Sequence, residues 1–236
     1  MKKWLNINFK SHFASLLFAM PLSILDDKLW FPPCTDALQD GLLAIGGDLG
    51  EERLLLAYRN GIFPWFENNL PLWWCPDPRF VLFPQHLKIS KSMHRILRSN
   101  QFKFKINYSF DHVIRNCKTA ERDYEGTWIT NEIEKAYINL YKKGYAFSAE
   151  TWQDDKLVGG LYGIKMGKVF FGESMFSLVS NASKFAFINY VQHLIEEGIE
   201  LIDCQVYTNH LESLGANMIN REYFLDLLKI YIPKLE

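Results

Sequence analysis

The stretch YAFSAETWQDDKLVGGLYGIKMGKVFFGESMF, residues 145–176, decides how this chain folds. It divides into three runs of strand length, YAFSAETW, LVGGLYGI and KVFFGESMF, separated by Gln153-Asp154-Asp155 and by a turn near Gly167. Asp and Gly supply the backbone conformations that tight turns need, so three antiparallel strands are expected. NASKFAFINYVQHLIEE follows and reads as a helix stopped by Gly198. ELIDCQVY, residues 200–207, reads as a further strand and HLESLGA as a short helix. Three strands, a helix, a strand and a helix predict an α+β sandwich.

Outward from that centre the periodicity is helical at ISKSMHRILRS, where Ile89, Met93, Ile96 and Leu97 share one side. NEIEKAYINLYKKG is a second helix, which Asn131 is expected to open, with Glu134 three residues later, and Gly144 to close. Before residue 80 the chain is rich in Gly, Pro and Trp. One helix is clear there, Glu51 to Arg59, with acids at its start and Gly61 after its end. The expected division is an N-terminal extension over 1–24, a small aromatic and Gly-rich domain over 25–80, and a catalytic domain over 81–236.

The chain has 236 residues, 48% of them hydrophobic, which suffices for a substantial core. Its formal net charge of −1 excludes a global basic field, so a polyanion must be held by a local patch. Cys34, Cys75, Cys117 and Cys204 are far apart and no His pair has ligand spacing, which disfavours zinc and a disulfide framework and points to a reducing compartment. The N-terminal run after Lys2 and Lys3 is broken by Asn6, Asn8, Lys10 and His12 and falls far short of the roughly 20 apolar residues that span a bilayer. A cytoplasmic protein without membrane partners is expected.

Four features bear on chemistry. In ELIDCQVY, alternation places Asp203 and Gln205 on one strand face and Ile202, Cys204 and Val206 on the other. A buried carboxylate costs free energy unless it is paired, so Asp203 is either a strand-end cap or part of a site. From Arg79 through Tyr108 there is no Asp or Glu, while Lys88, Lys91, Arg95 and Arg98 step by three or four along a helical pattern. An acid-free face of that kind points to a polyanion, with RNA the leading candidate. GLLAIGGD lacks the Lys-Ser/Thr ending of a phosphate loop and is read as a tight turn. Glu173 follows Phe170, Phe171 and Gly172 with little polar company, either capping the next helix or waiting for a cation.

The element order resembles the acetyltransferase-type (GNAT) fold, an analogy that assigns no chemistry. Members usually hold coenzyme A at a glycine-rich strand-to-helix turn; here that turn is SLVSNASKF, without glycine, so coenzyme A is disfavoured and no cofactor is expected. The segments DGLLAIGGDL, ERLLLAYRNGIFPWF, LWWCPDPR, EGTWIT, LVGGLYG, FFGESMFS, NASK, DCQVYTNHLESLGA and INREYF together resemble the leucyl/phenylalanyl-tRNA–protein transferase family, nearly continuously from Phe31 to Phe224. The resemblance implies an aminoacyltransferase that moves leucine or phenylalanine from charged tRNA to the N-terminal amine of proteins beginning with Lys or Arg, creating a degradation signal; a monomer is expected. It places Asp203 and Gln205 beside the reacting ester. It carries the apolar donor pocket onto Leu161, Phe170, Phe187, Tyr190 and Ile202 with Glu173 at the rim, and sets Trp65 and Trp128 near the substrate entrance. Cys75 stands where the family commonly has serine, and the first residues are an unusual extension.

Ester aminolysis is downhill and needs position, a proton path and oxyanion stabilisation rather than a metal. A neutral amide is too weak a base to deprotonate the amine, so Gln205 is expected to orient it, with Asp203 holding Gln205 or offsetting developing charge. The terminal ribose 2′-hydroxyl of the tRNA would shuttle the proton. Two other readings fit parts of the chain: an acyltransferase of the same fold with another donor, and a non-catalytic RNA-binding module. The second would have no need of Asp203, Gln205 and Glu173.

Overall fold

The computed structural model describes residues 22–66, 70–120 and 127–233. The N-terminal extension expected over 1–24 lies almost wholly outside the described residues. Two sheets organise the rest. The first contains β1 (Ser23–Leu25), β2 (Leu42–Gly46), β3 (Phe63–Pro64) and β4 (Leu72–Trp74) in the order β1-β2-β4-β3, with helix α1 (Glu51–Arg59) between β2 and β3. The second is seven-stranded. Its strands are β5 (Arg79–Leu82), β6 (Lys103–Ile106), β7 (Ala146–Gln153), β8 (Lys156–Met166), β9 (Val169–Ser177), β10 (Leu201–Gln205) and β11 (Asn217–Ile219), in the order β11-β5-β10-β9-β8-β7-β6.

Strands β7, β8 and β9 form the expected antiparallel meander, with Asp154 and Asp155 at positive φ in the first hairpin. Helix α5 (Ala182–Glu196) then returns the chain, and β10 enters parallel to β9, pairing Leu201–Asp203 with Val169–Phe171. On its other side β10 pairs antiparallel with β5. The remaining helices are α2 (Lys91–Arg98), α3 (Phe110–Thr119), α4 (Asn131–Lys142), α6 (Asn209–Glu212) and α7 (Arg221–Tyr231).

Each face of the large sheet buries its own apolar cluster, and adjacent residues split between them as strand geometry requires. Val81 and Phe171 join a core with α1, α3, α4, α7 and Trp73 of the small sheet, whereas Phe80 and Phe170 join a core with α2 and α5. The small sheet and one face of the large sheet therefore share a single core.

Several local expectations are corrected. The N-cap of α4 is Thr130, whose hydroxyl accepts from the Ile133 N–H, and Glu134 instead pairs with Arg115 and Lys118 on α3. Helix α2 starts at Lys91 behind the Ser90 cap, so Lys88 precedes the helix and its backbone N–H bonds to the Leu214 carbonyl. Helices α3 and α7 were not anticipated, although Phe110, Val113, Ile114 and Cys117 are all buried on one stripe of α3 at helical spacing. No helix among the described residues is long and apolar enough to cross a membrane.

Close backbone approach fixes the glycines of β8. A Cβ on Gly163 would lie 2.1 Å from the Phe171 carbonyl oxygen and 2.5 Å from the Phe170 ring. Gly163→Ala should therefore force β8 from β9 and cost about 1–3 kcal/mol, the range for overpacking a filled core. A thermal melt should show this as a loss of several degrees, and an unchanged Tm would mean that the strands yield freely.

Candidate active site

The site begins where β10 ends. Asp203 is fully buried and faces Arg79 of β5, itself 1% exposed. Arg79 Nε donates to Asp203 Oδ1 at 2.8 Å and Nη2 to Oδ2 at 2.6 Å, a bidentate pair of the strong charge-assisted kind. The guanidinium is clamped between aromatic rings, 4.7 Å from the Phe63 centroid and 4.6 Å from that of Phe224. Burial opposes the arginine's charge, but the Asp203 carboxylate more than offsets this and holds its pKa above the ordinary value.

Simple alternation then fails. The register with β5 shifts between Asp203 and Gln205, leaving Cys204 as the extra residue of a bulge, and Gln205 has φ +63°. A left-handed glutamine is strained by about 1–3 kcal/mol, and such strain gathers at functional sites. It is held because the Gln205 backbone N–H donates to Asp203 Oδ1 at 2.9 Å. Asp203 thus fixes both Arg79 and the turned backbone of Gln205, and the two polar residues are not simply neighbours on one strand face as the sequence pattern predicts.

From Gln205 the polar contacts continue. Its Nε2 donates to Glu173 Oε1 at 2.8 Å, Tyr137 Oη donates to Glu173 Oε2 at 2.9 Å, and the Tyr137 hydroxyl meets that of Tyr58. The chain Arg79–Asp203–Gln205–Glu173–Tyr137–Tyr58 therefore runs from β5 through β10 and β9 to α4 and α1. Burial raises the Glu173 carboxyl to a pKa of about 7, with the Asp203 charge adding to the rise and the bonds from Tyr58, Tyr137 and Gln205 opposing it. Burial and then the Glu173 charge push both tyrosines well above their usual values. Glu173 neither caps α5 nor stands unpaired. Because an ionised carboxylate only accepts, it takes the amide nitrogen of Gln205 and leaves the amide oxygen facing away from it.

The other expected residues fall into three groups. Leu161, Phe170, Phe187, Tyr190 and Ile202 meet in the apolar cluster under α5, where Phe170 and Tyr190 stack edge to face at 5.0 Å. Trp65 and Trp128 pack on the opposite cluster, beside the face that carries Tyr58 and Tyr137. Lys88, Lys91, Arg95 and Arg98 are all exposed, and none makes an ion pair among the described residues. Arg79, Tyr58 and Tyr137 were missed. The sequence placed Arg79 only at the head of a basic run, although an arginine inside an apolar strand, RFVL, is itself a sign of a buried partner. Cys75 is buried in the core with Cys34. Among the described residues no three His, Cys, Asp or Glu side chains gather as a metal site.

Antiparallel β7–β9, the returning helix α5 and parallel β10, with polar side chains collected where β9 and β10 part, define a mixed α/β protein with the element order expected from the sequence. Loose structural neighbours include a functionally unknown conserved protein from Staphylococcus epidermidis, at 10% identity, TM-score 0.43 and coverage of 76% of this chain and 68% of that one. A GCN5-related N-acetyltransferase from Kribbella flavida gives 10% identity, TM-score 0.36 and coverage of 69% and 58%. Neither bears on activity. Sequence relatives are far nearer. The family model for leucyl/phenylalanyl-tRNA protein transferase matches residues 81–229, and that for the N-terminal domain of the same transferase matches residues 47–77. A leucyl/phenylalanyl-tRNA–protein transferase from Flavobacterium johnsoniae is 57% identical over 203 residues, 85% of this chain and 96% of its own length. One from Pseudomonas fluorescens is 52% identical over 212 residues, 88% and 93% of the two chains. The chain belongs to the leucyl/phenylalanyl-tRNA–protein transferase family and is an aminoacyltransferase.

Two predictions test the site. Asp203→Asn leaves the buried Arg79 charge uncompensated and should destabilise the fold by about 3–5 kcal/mol, read as a lower denaturant midpoint at unchanged slope. An unshifted midpoint would mean that the pair is not sealed from water. The second concerns pH. Glu173 binds its proton more tightly folded than unfolded, so its contribution to stability is present below the ordinary glutamate pKa of 4.5 and is lost as pH rises to about 7. In Glu173→Gln that loss disappears, so the Tm difference, variant minus wild type, should become more positive across this window. A flat difference would place Glu173 in solvent.

Proposed function

We propose that this enzyme transfers leucine or phenylalanine from aminoacyl-tRNA to the α-amine of proteins beginning with Lys or Arg, marking them for degradation. The observation that carries the reading is the buried polar chain at the parting of β9 and β10, set directly against the apolar cluster of Phe170 and Ile202. The family's relatives, named for leucyl- and phenylalanyl-tRNA, support the donor; the acceptor and its fate follow from the family resemblance.

In this reading the donor side chain enters among Leu161, Phe170, Phe187, Tyr190 and Ile202, and its ester lies at Gln205. The amide oxygen of Gln205, turned outward by the bond from Nε2 to Glu173, accepts a hydrogen bond from the attacking amine and aligns it. Asp203 is already matched by Arg79, so it acts by holding the Gln205 backbone rather than by meeting the substrate's charge. Glu173, buried beside the Gln205 amide, offsets in its ionised form the positive charge that develops on the attacking amine, and the Tyr137–Tyr58 pair steadies its second oxygen. The amine's proton leaves with the 3′-oxygen of the ribose, the neighbouring 2′-hydroxyl serving as the relay. Trp65 and Trp128 flank the entrance. Lys88, Lys91, Arg95 and Arg98 hold the tRNA backbone without reading bases.

Transfer of labelled leucine from charged tRNA to a protein beginning with Arg, compared with one beginning with Met, tests the reaction. Equal labelling, or none, would sink the acceptor rule or the activity respectively. The RNA surface has its own test: reversing Lys91 and Arg95 to Glu should weaken charged-tRNA binding and lower the salt slope by about one unit per lost phosphate contact. Binding with an unaltered slope would move the tRNA elsewhere. Gln205→Ala, which spares the Arg79–Asp203 pair, should slow single-turnover transfer by about a hundredfold while tRNA affinity holds.

A further inference from the structure

The buried ion pair leaves one atom unanswered. Arg79 uses Nε and Nη2 on Asp203, and its third nitrogen, Nη1, is buried with no hydrogen-bond partner among the described residues. A buried cationic donor without an acceptor is costly, so the groups around it matter. After Asp203, the charges that act on Arg79 are those of Cys75 and then Cys34. The transfer reaction uses neither thiol.

The fold holds these two sulfurs together. Cys34 opens a short turn, Cys34–Asp36, and Cys75 directly follows β4. The Cys75 N–H donates to the Gly41 carbonyl at 2.8 Å, and a Cβ on Gly41 would stand 2.6 Å from the Pro76 Cα, so the segment before β2 is pressed against the exit of β4. Both thiols lie in one apolar cluster, Cys75 fully buried and Cys34 7% exposed, and they are in hydrogen-bonding contact. Cys34 Sγ also has the Asn60 carbonyl as an acceptor at 3.2 Å. Arg221 Nη1 donates to the Cys75 carbonyl at 2.9 Å, which brings a second guanidinium to the same place.

The surroundings divide the pair into unlike halves. The hydrogen bond from Cys34 holds the Cys75 thiol below its ordinary pKa, and Arg79 and Arg221 add to the fall against burial and the Asp203 charge. The same contact, and then burial, push Cys34 up. One sulfur gives up its proton readily and its neighbour keeps one, as in an attacking and a resolving cysteine. Cys204 is the contrast. It is more exposed than either, yet burial and then the Asp203 charge push its thiol up.

We propose that Cys34 and Cys75 form a redox-active dithiol site, which a peroxide oxidises to a disulfide and a thiol reductant restores. The Cys75 thiolate attacks one peroxide oxygen, the O–O bond breaks, and the hydroxide that leaves takes up the proton Cys75 had released. Cys34 then attacks the sulfenic sulfur; the S–S bond forms, the S–O bond breaks, and the hydroxyl leaves with the Cys34 proton as water. Two thiols and one peroxide become one disulfide and two waters. The site stands independently of the proposed function.

The test treats the folded full chain with hydrogen peroxide, quenches in acid, alkylates the remaining thiols and maps them by peptide mass spectrometry. The expected product has lost two hydrogens, keeps Cys117 and Cys204 open to alkylation, and carries one cross-link, Cys34 to Cys75, which dithiothreitol removes. The link forms about tenfold or more faster in the folded chain than in the same chain unfolded in urea, because folding sets the two sulfurs together beside the arginines. In Cys34→Ser the resolving thiol is gone and dimedone traps a sulfenic acid on Cys75; in Cys75→Ser, Cys34 stays reduced at the same dose. Oxidation of Cys204 ahead of the pair would overturn the inference, because exposure alone would then decide. So would a folded chain that links no faster than the unfolded one, or one that gains oxygen without linking. The wild-type map decides by itself if a serine variant fails to fold.

Discussion

The buried ion pair between Arg79 and Asp203 is the constraint on which the rest of the site depends. Two opposite charges removed from water are costly; here two of the guanidinium nitrogens meet both carboxylate oxygens and aromatic rings cover its faces, while Nη1 is buried with no hydrogen-bond partner among the described residues. The pair ties β5 to β10 across strands 124 residues apart in sequence. Its carboxylate has a further task, accepting the N–H of Gln205 and so keeping that residue in a left-handed conformation it would not otherwise hold. Strain at Gln205 is offset by this hydrogen bond, which the low-dielectric interior strengthens.

The polar contacts that start there explain why the small N-terminal sheet stays attached to the large one. Tyr58 on α1 and Tyr137 on α4 close the chain around Glu173, and both lie in the core shared by the two sheets. Phe63 of β3 forms one side of the clamp on Arg79. The small sheet therefore supplies parts of the site as well as apolar surface, and perturbing it reaches the polar chain through the core. Because the interior is of low dielectric, each bond in that chain is strengthened, and each unmatched group would be expensive.

Two demands meet at the parting of β9 and β10. Apolar side chains gather under α5, and in the proposed reaction they would bury the hydrophobic donor group, a non-directional effect that sorts substrates by volume. The polar chain on the other face fixes direction, because hydrogen bonds lose strength as they bend. A parallel pair of strands that separates brings these faces to one edge, which a continuous sheet would keep apart. The exposed basic side chains of α2 add a third feature, a local positive patch that a chain of net charge −1 lacks as a whole.

The amino-acid sequence by itself determined the meander, α5 and the existence of β10, because period-two and helical hydrophobic patterns with Asp and Gly turns are local signals; that β10 runs parallel to β9 was not legible there. It also marked Asp203, Gln205 and Glu173 as polar residues in apolar strands, and the acid-free run from Arg79 to Tyr108. The helical stripe of α3 is equally legible, with Phe110, Val113, Ile114 and Cys117 recurring at helical spacing. What only the tertiary structure decided is pairing across distance. Arg79 finds Asp203, and Tyr58 and Tyr137 find Glu173, through sheet order and helix packing that no local period encodes. The bulge that turns Gln205 depends on β5, a strand whose place in the sheet the sequence could not fix. Burial then sets the chemistry, since the pKa of Glu173 follows from what surrounds it and not from what precedes it in the chain.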